Sequence, residues 1–168
     1  MFCSYDLVAR FNGGANAGHT VIANGKKFAF HLLPCGIVYP HTQNLLGNGT
    51  VIHVPSLFKE LEPLNAAGIE WQGRLKLSDR AHLLFDFHKI VDGLLEKRLA
   101  SASPGGKGIG TTKQGIGPAY ASKASRNAVR VGLLRHRGPF QAALRRSIEE
   151  HQAMYGGFEY DIQGELDK

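Results

Sequence analysis

Asn12-Gly13-Gly14-Ala15-Asn16-Ala17-Gly18-His19-Thr20 follows directly on a largely apolar run, residues 5–11. Glycine lets backbone N–H groups approach a ligand closely and adopts φ > 0 without a steric penalty. Asparagine tolerates the same left-handed conformations and carries both a donor and an acceptor. Histidine changes charge near neutral pH. A strand that runs into such a loop describes a seat for a polar, phosphorylated ligand with an acid–base group beside it.

Outward from this loop, residues 5–10 read as a buried strand. Residues 20–23 and 27–32 are short β-like runs joined by Asn24-Gly25, a hairpin signal. Residues 34–49 read as loop, ending in Leu45-Leu46-Gly47-Asn48-Gly49, and residues 50–54 as a β-branched strand. Pro55-Ser56 opens a helix with Leu57, Phe58, Leu61 and Leu64 on one face and Gly68 as its stop. Pro63 removes a helical hydrogen bond and predicts a distorted last turn. Residues 74–77 suit another strand. Phe87, Ile90, Val91, Leu94 and Leu95 have helical spacing within residues 84–99. Residues 101–117 form a second glycine-rich loop, and a third helix is expected near Pro139 with Phe140, Leu144 and Ile148 inward.

This alternation predicts an α/β fold, a mixed and largely parallel sheet with flanking helices, in one domain over residues 1–168. No internal repeat is present. A core strand almost at the first residue, and a last segment (residues 158–168) that looks like the start of a further element, suggest a piece of a larger protein.

Hydrophobic residues make up 43% of the 168, which suits a globular chain rather than a disordered one. The formal charge of +6 favours a partner with several negative charges, such as a nucleotide, a phosphorylated metabolite or nucleic acid. Cys3 and Cys35 have no metal-type spacing and suit free thiols in a reducing, cytoplasmic compartment. No signal peptide or membrane-spanning stretch is expected, because the richest apolar segment, residues 28–39, is broken by His31, Pro34 and Gly36.

The second loop reads Gly108-Ile109-Gly110-Thr111-Thr112-Lys113-Gln114-Gly115-Ile116-Gly117-Pro118-Ala119-Tyr120. Its glycines, paired threonines and Lys113 have the composition of a phosphate cradle, although a glycine-rich surface loop has it too. Neither loop contains G-x-x-x-x-G-K-[ST], and Lys113 stands where G-x-G-x-x-G needs its last glycine. Downstream, Lys123, Arg126 and Arg130 would share a face of a helix, most simply a solvated one. His53 reads as a core or ligand-rim residue. His82 and His88 are too far apart for a zinc pair. His31, His41, His136 and His151 fit no partner pattern. Arg135-His136-Arg137 and Arg145-Arg146 lack interleaved aromatics, so a solvated helix end fits better than a nucleic-acid site.

Together the two loops resemble the adenylosuccinate synthetase family. Residues 12–20 resemble its GGxNAGHT segment, and residues 108–120 its G-T-T-x-x-G-I-G-P-x-Y signature. His31-Leu32-Leu33-Pro34, Leu46-Gly47-Asn48-Gly49 and residues 55–61 also look like the family in its eukaryotic, fungal form. The resemblance implies a P-loop-NTPase-like fold and the GTP-dependent ligation of IMP and L-aspartate to adenylosuccinate through 6-phosphoryl-IMP, with Mg²⁺. It implies that His19 is the catalytic acid. Asn16, Ala17, Gly18 and His19 would face IMP, and Gly18, His19 and Thr20 the GTP phosphates. The Gly18 carbonyl would bind Mg²⁺ and Thr112 the IMP phosphate. Arg126 would reach IMP in the neighbouring subunit of a homodimer, where a rigid guanidinium fork suits phosphate.

The chain also departs from the family. The G-D-E-G-K-G-K phosphate loop with its aspartate base does not occur, nor do the guanine-recognition segment and the aspartate-binding loop. Gln114 replaces a commonly basic residue, and Asn127-Ala128 a Ser-Gly pair. The resemblance therefore implies a fragment that carries the acid half of an active site and is inactive alone. A non-catalytic nucleotide-binding or dimer-forming remnant is the alternative, and a basic nucleic-acid module a weaker third.

Overall fold

A computed structural model describes residues 4–23 and 25–167. The chain divides into two compact units, Met1–His82 and Leu83–Lys168. Cys3 and Asn24, the first turn residue of the expected hairpin, lie outside the described residues.

In the first unit a parallel sheet is built around β4. The strands are β1 (Leu7–Gly13), β4 (Gln43–Ile52) and β5 (Leu75–Leu77), in the order β1-β4-β5. Between them in sequence, β2 (His19–Ala23) and β3 (Lys26–Phe30) form a separate antiparallel hairpin. Helix α1 (Val54–Ala66) returns the chain from β4 to β5, the crossover that a parallel pair requires. The core gathers Phe30, Leu32, Leu33, Leu46, Val51 and Ile52, all essentially solvent-free.

Four expectations change here. First, the first strand is Leu7–Gly13, and none of its residues is fully buried. Tyr5 and Leu7 are each 55% exposed and Phe11 76%. Among the described residues β1 pairs along one edge only, with β4. Second, the loop expected over residues 34–49 holds a short 3₁₀ turn, Cys35–Val38, and then the first half of β4. The glycines that suggested a loop serve a close approach of two backbones. A Cβ on Gly49 would overlap the Phe11 carbonyl, at the point where the β1–β4 register slips between Arg10 and Asn12.

Third, α1 buries Leu57, Glu60, Leu61 and Leu64, while Phe58 is 57% exposed. At 100° per residue Phe58 falls off the Leu57/Leu61/Leu64 stripe and Glu60 falls on it. Fourth, α1 runs through Pro63. At its end the Ala67 N–H is shared between the Pro63 and Leu64 carbonyls at 3.1 Å each.

The second unit is helical, with α2 (Asp86–Ala102), α3 (Ile116–Ser125), α4 (Arg137–Tyr155) and α5 (Ile162–Leu166). A two-residue strand, β6 (His82–Leu83), stands where one unit gives way to the next. Phe87 and Val91 of α2, Ala119 of α3, and Leu144 and Ile148 of α4 form its core, with Phe140 only half-buried. His151 is buried here, with Nδ1 2.6 Å from the Ser147 carbonyl and Nε2 2.9 Å from the Ser122 hydroxyl. Helix α3 claims Ile116 and Gly117, which the sequence placed in the glycine loop. Pro118 sits in its first turn, where a missing N–H costs nothing. Arg126 ends the helix in the left-handed conformation (φ 66°), and Arg130 lies beyond it, so Lys123, Arg126 and Arg130 do not share a helical face.

Candidate functional site

In the first unit a cleft of about 760 Å³ runs along β1 and the glycine loop. Ala17, Gly18, His19 and Thr20 all line it, as do Arg10 and Cys35. Asn16 stands exposed on the same loop. Arg10 reaches out of β1 to hold this loop through its carbonyls. Its Nη2 donates to the Gly14 carbonyl at 2.7 Å, its Nε to Asn12 at 3.2 Å, and its Nη1 to His31. Three backbone acceptors in one guanidinium fork fix a loop whose glycines would otherwise leave it loose.

His19 is the first residue of β2 and pairs with Phe30 across the hairpin. Its ring meets the Phe30 ring edge-on, with centroids 5.9 Å apart. The ring is half-buried, and its Nε2 is buried without a hydrogen bond. Burial holds the His19 pKa below its ordinary value; the Leu33 carbonyl and the Glu60 carboxylate oppose this, while Arg10 and His31 add to it. His31 lies over Gly18, its Nε2 3.0 Å from where a Cβ would stand, and its Nδ1 is 3.7 Å from Glu60 Oε1.

In the second unit, two carboxylates one helical turn apart on α2 pin the other glycine loop. Asp92 Oδ2 accepts the Gly115 N–H at 2.9 Å, and Glu96 Oε1 accepts the Gly110 N–H. Gly115 has φ 74°, and a Cβ there would lie 2.8 Å from the backbone of His88 and Lys89. That close approach seats the loop against the start of α2. Between the pins Lys113 is left-handed (φ 54°), Thr112 is exposed, and the Thr111 hydroxyl is buried without a hydrogen bond. Arg126 is exposed at the end of α3.

The expected residues thus fall into two groups, Asn16 to Thr20 in one unit and Thr112 and Arg126 in the other. Sequence reasoning missed Arg10, His31 and Glu60 around the first loop, and Asp92 and Glu96 behind the second. Glu60 had a visible signal, a carboxylate at helical spacing on an apolar stripe. Asp92 and Glu96 had a weaker one, an i, i+4 acidic pair on a helix whose next face is core. Among the described residues no three His, Cys, Asp or Glu side chains are placed to hold a metal ion, and no helix is long and apolar enough to cross a membrane.

The adenylosuccinate synthetase family model matches residues 1–168. The chain is 52% identical to the adenylosuccinate synthetase of Kluyveromyces lactis over 98% of its own length, and 54% identical to that of Zygosaccharomyces rouxii over 96%. It spans 39% of the length of each of these relatives. A solved structure of fully ligated adenylosuccinate synthetase from Plasmodium falciparum superposes with a TM-score of 0.87 at 46% identity, covering 98% of this chain and 37% of that one. Similarity of sequence along every residue and similarity of fold agree, and the chain belongs to the adenylosuccinate synthetase family.

Proposed function

We propose that this chain carries the acid side of an active site that ligates IMP and L-aspartate at the expense of GTP, giving adenylosuccinate for AMP synthesis. The observation that carries this reading is His19, half-buried at the start of β2, with Ala17, Gly18 and Thr20 beside it along the same cleft. In this reading GTP first phosphorylates the 6-oxygen of IMP, and the aspartate amine then displaces that phosphate.

Asn16, Ala17, Gly18 and His19 face IMP, and Gly18, His19 and Thr20 face the GTP phosphates. Phosphate oxygens close to the imidazole raise the His19 pKa, so the ring takes up a proton and becomes a donor to the leaving phosphate. Thr112 binds the IMP phosphate, and Arg126 reaches IMP across a homodimer. The donor set fits Mg²⁺ only as a partial site, since the Gly18 carbonyl is one hard oxygen ligand and substrate phosphates and water complete such sites. When bound, Mg²⁺ neutralises phosphate charge. Glu60 already accepts three backbone N–H groups and is no candidate for the base that takes the IMP proton. That base is assigned to the family's G-D-E-G-K-G-K segment, which these 168 residues do not contain. The reaction belongs to the cytoplasm in this reading.

Incubation of the chain with IMP, GTP, Mg²⁺ and aspartate is expected to form no adenylosuccinate by mass spectrometry. IMP and GTP are each expected to move the His19 ring resonances in solution. Thr112→Ala is expected to weaken IMP binding about ten-fold, the scale of one hydrogen bond to a charged group. If neither nucleotide moves His19, the reading fails in favour of a non-catalytic remnant.

A further inference from the structure

The loop that bears Thr112 is held by side chains rather than by its own backbone. Among the described residues, 107–114 make no backbone–backbone hydrogen bond. The Gly110 N–H goes to Oε1 of half-buried Glu96, and the Gly115 N–H to Oδ2 of Asp92 at 2.9 Å, a carboxylate only 6% exposed. Both acceptors project from α2, one turn apart. Glu96 also fills the space beside Gly108, where a Cβ would overlap its carboxylate. Side chains at this helical spacing stand about 5–6 Å apart at Cβ, whereas five residues of chain can reach ~17 Å. The segment between the pins therefore arches away from α2, and Thr112 and left-handed Lys113, both exposed, stand on the arch.

We propose that Asp92 and Glu96 are positioning residues for Thr112, fixing the arch in the shape in which its hydroxyl meets the phosphate of the nucleotide. Their charge works against that ligand, since a carboxylate repels phosphate. What the pair contributes is two strong acceptors for amides that the loop does not satisfy internally. A glycine-rich segment left unpinned has to be ordered at the moment of binding, at an entropy cost for each residue. With both ends fixed, that cost falls on folding instead of on the ligand. Two positive-φ glycines fit the same reading. Gly115 lets the chain lie against the backbone of His88 and Lys89, and Gly110 (φ 78°) turns it into the arch.

This inference rests on the reading of Thr112 as the phosphate contact, and its test separates the two. Relaxation of ¹⁵N in the full chain without ligand reports the order of the Thr112 amide. Titration with IMP and with inosine, which lacks the phosphate, reports the phosphate's share of the affinity. Wild type is expected to show an ordered Thr112 amide and to bind IMP more tightly than inosine. Glu96→Ala and Asp92→Ala are each expected to lower the Thr112 order parameter from about 0.85 to below about 0.6, and to weaken IMP about ten-fold while leaving inosine unchanged. Glu96→Gln keeps an acceptor oxygen without the charge and is expected to hold IMP within about three-fold of wild type. Val91→Ala opens a cavity in the same helix without touching either pin, and is expected to lower the urea midpoint but not the IMP-to-inosine ratio. An ordered Thr112 in folded Glu96→Ala overturns the proposal. So does an equal loss of IMP and inosine, or a loss in Glu96→Gln as large as in Glu96→Ala. Should Glu96→Ala fail to fold, Glu96→Asp is read instead. It withdraws the acceptor by one methylene, and an unmoved Thr112 there overturns the proposal equally. A wild-type chain that binds IMP no more tightly than inosine sinks the functional reading of Thr112, and the relaxation measurement alone then decides whether the carboxylates order the loop.

Discussion

His19 is half-buried at the start of β2, its ring edge-on to Phe30 and its Nε2 buried without a hydrogen bond. Because burial lowers its pKa in the folded chain, the unfolded chain binds more protons just below the ordinary value of about 6.5. His19 thus contributes stability that is fully present above about pH 6.5 and is lost as pH falls through the folded value. The urea midpoint of the wild-type chain is expected to fall between about pH 7.5 and about pH 5.5, and to fall less in His19→Asn, which keeps a polar side chain but cannot titrate. Equal slopes in the two proteins would show that other groups carry the whole effect. The GGxNAGHT resemblance made His19 legible from the sequence. Arg10, which braces its loop, was not, because it acts through backbone carbonyls that any residue would present.

At the scale of elements, α1 and the second glycine loop show where local rules give way. Pro63 is tolerated because it is exposed and close to the C-terminal end of α1, where few hydrogen bonds remain to be lost. Pro63→Ala restores an N–H donor and is expected to raise stability by about 1 kcal/mol, within the helix-interior penalty of proline, as read from the denaturation midpoint. Gly115→Ala is expected to do the opposite. It forces a Cβ into a positive-φ position and to within 2.8 Å of the His88 and Lys89 backbone, so a loss of about 2 kcal/mol or more should appear in urea unfolding. The Leu57/Leu61/Leu64 stripe was readable from spacing. Whether Phe58 or Glu60 completes it was not, since hydrophobicity argued for one and geometry for the other. The early start of β4 was hidden for a related reason, because Gly47 and Gly49 look like loop until β1 is seen lying against them.

For the molecule as a whole, β1 matters most. Its Leu7 and Phe11, with Tyr5 just before it, present apolar side chains to solvent. A strand paired along one edge, with exposed apolar residues, is a template for association. The purified chain is expected to self-associate with rising concentration in light scattering, and Phe11→Lys to reduce that without lowering the unfolding midpoint. A concentration-independent monomer would remove this reading of β1. Sequence alone determined the family, the α/β character, the hairpin, the two glycine loops and the main helical stripes. These depend on short-range periodicity, on residue types suited to particular backbone conformations, and on long motifs in order. Tertiary structure alone decided that the first strand is exposed and that the loop before residue 50 is half a strand. It also decided that Arg126 closes a helix instead of riding its face, that Arg10 braces the first glycine loop, and that Asp92 and Glu96 on α2 hold the second. Each of those outcomes turns on which backbone comes within reach of which side chain, and that proximity is written in no local stretch of residues.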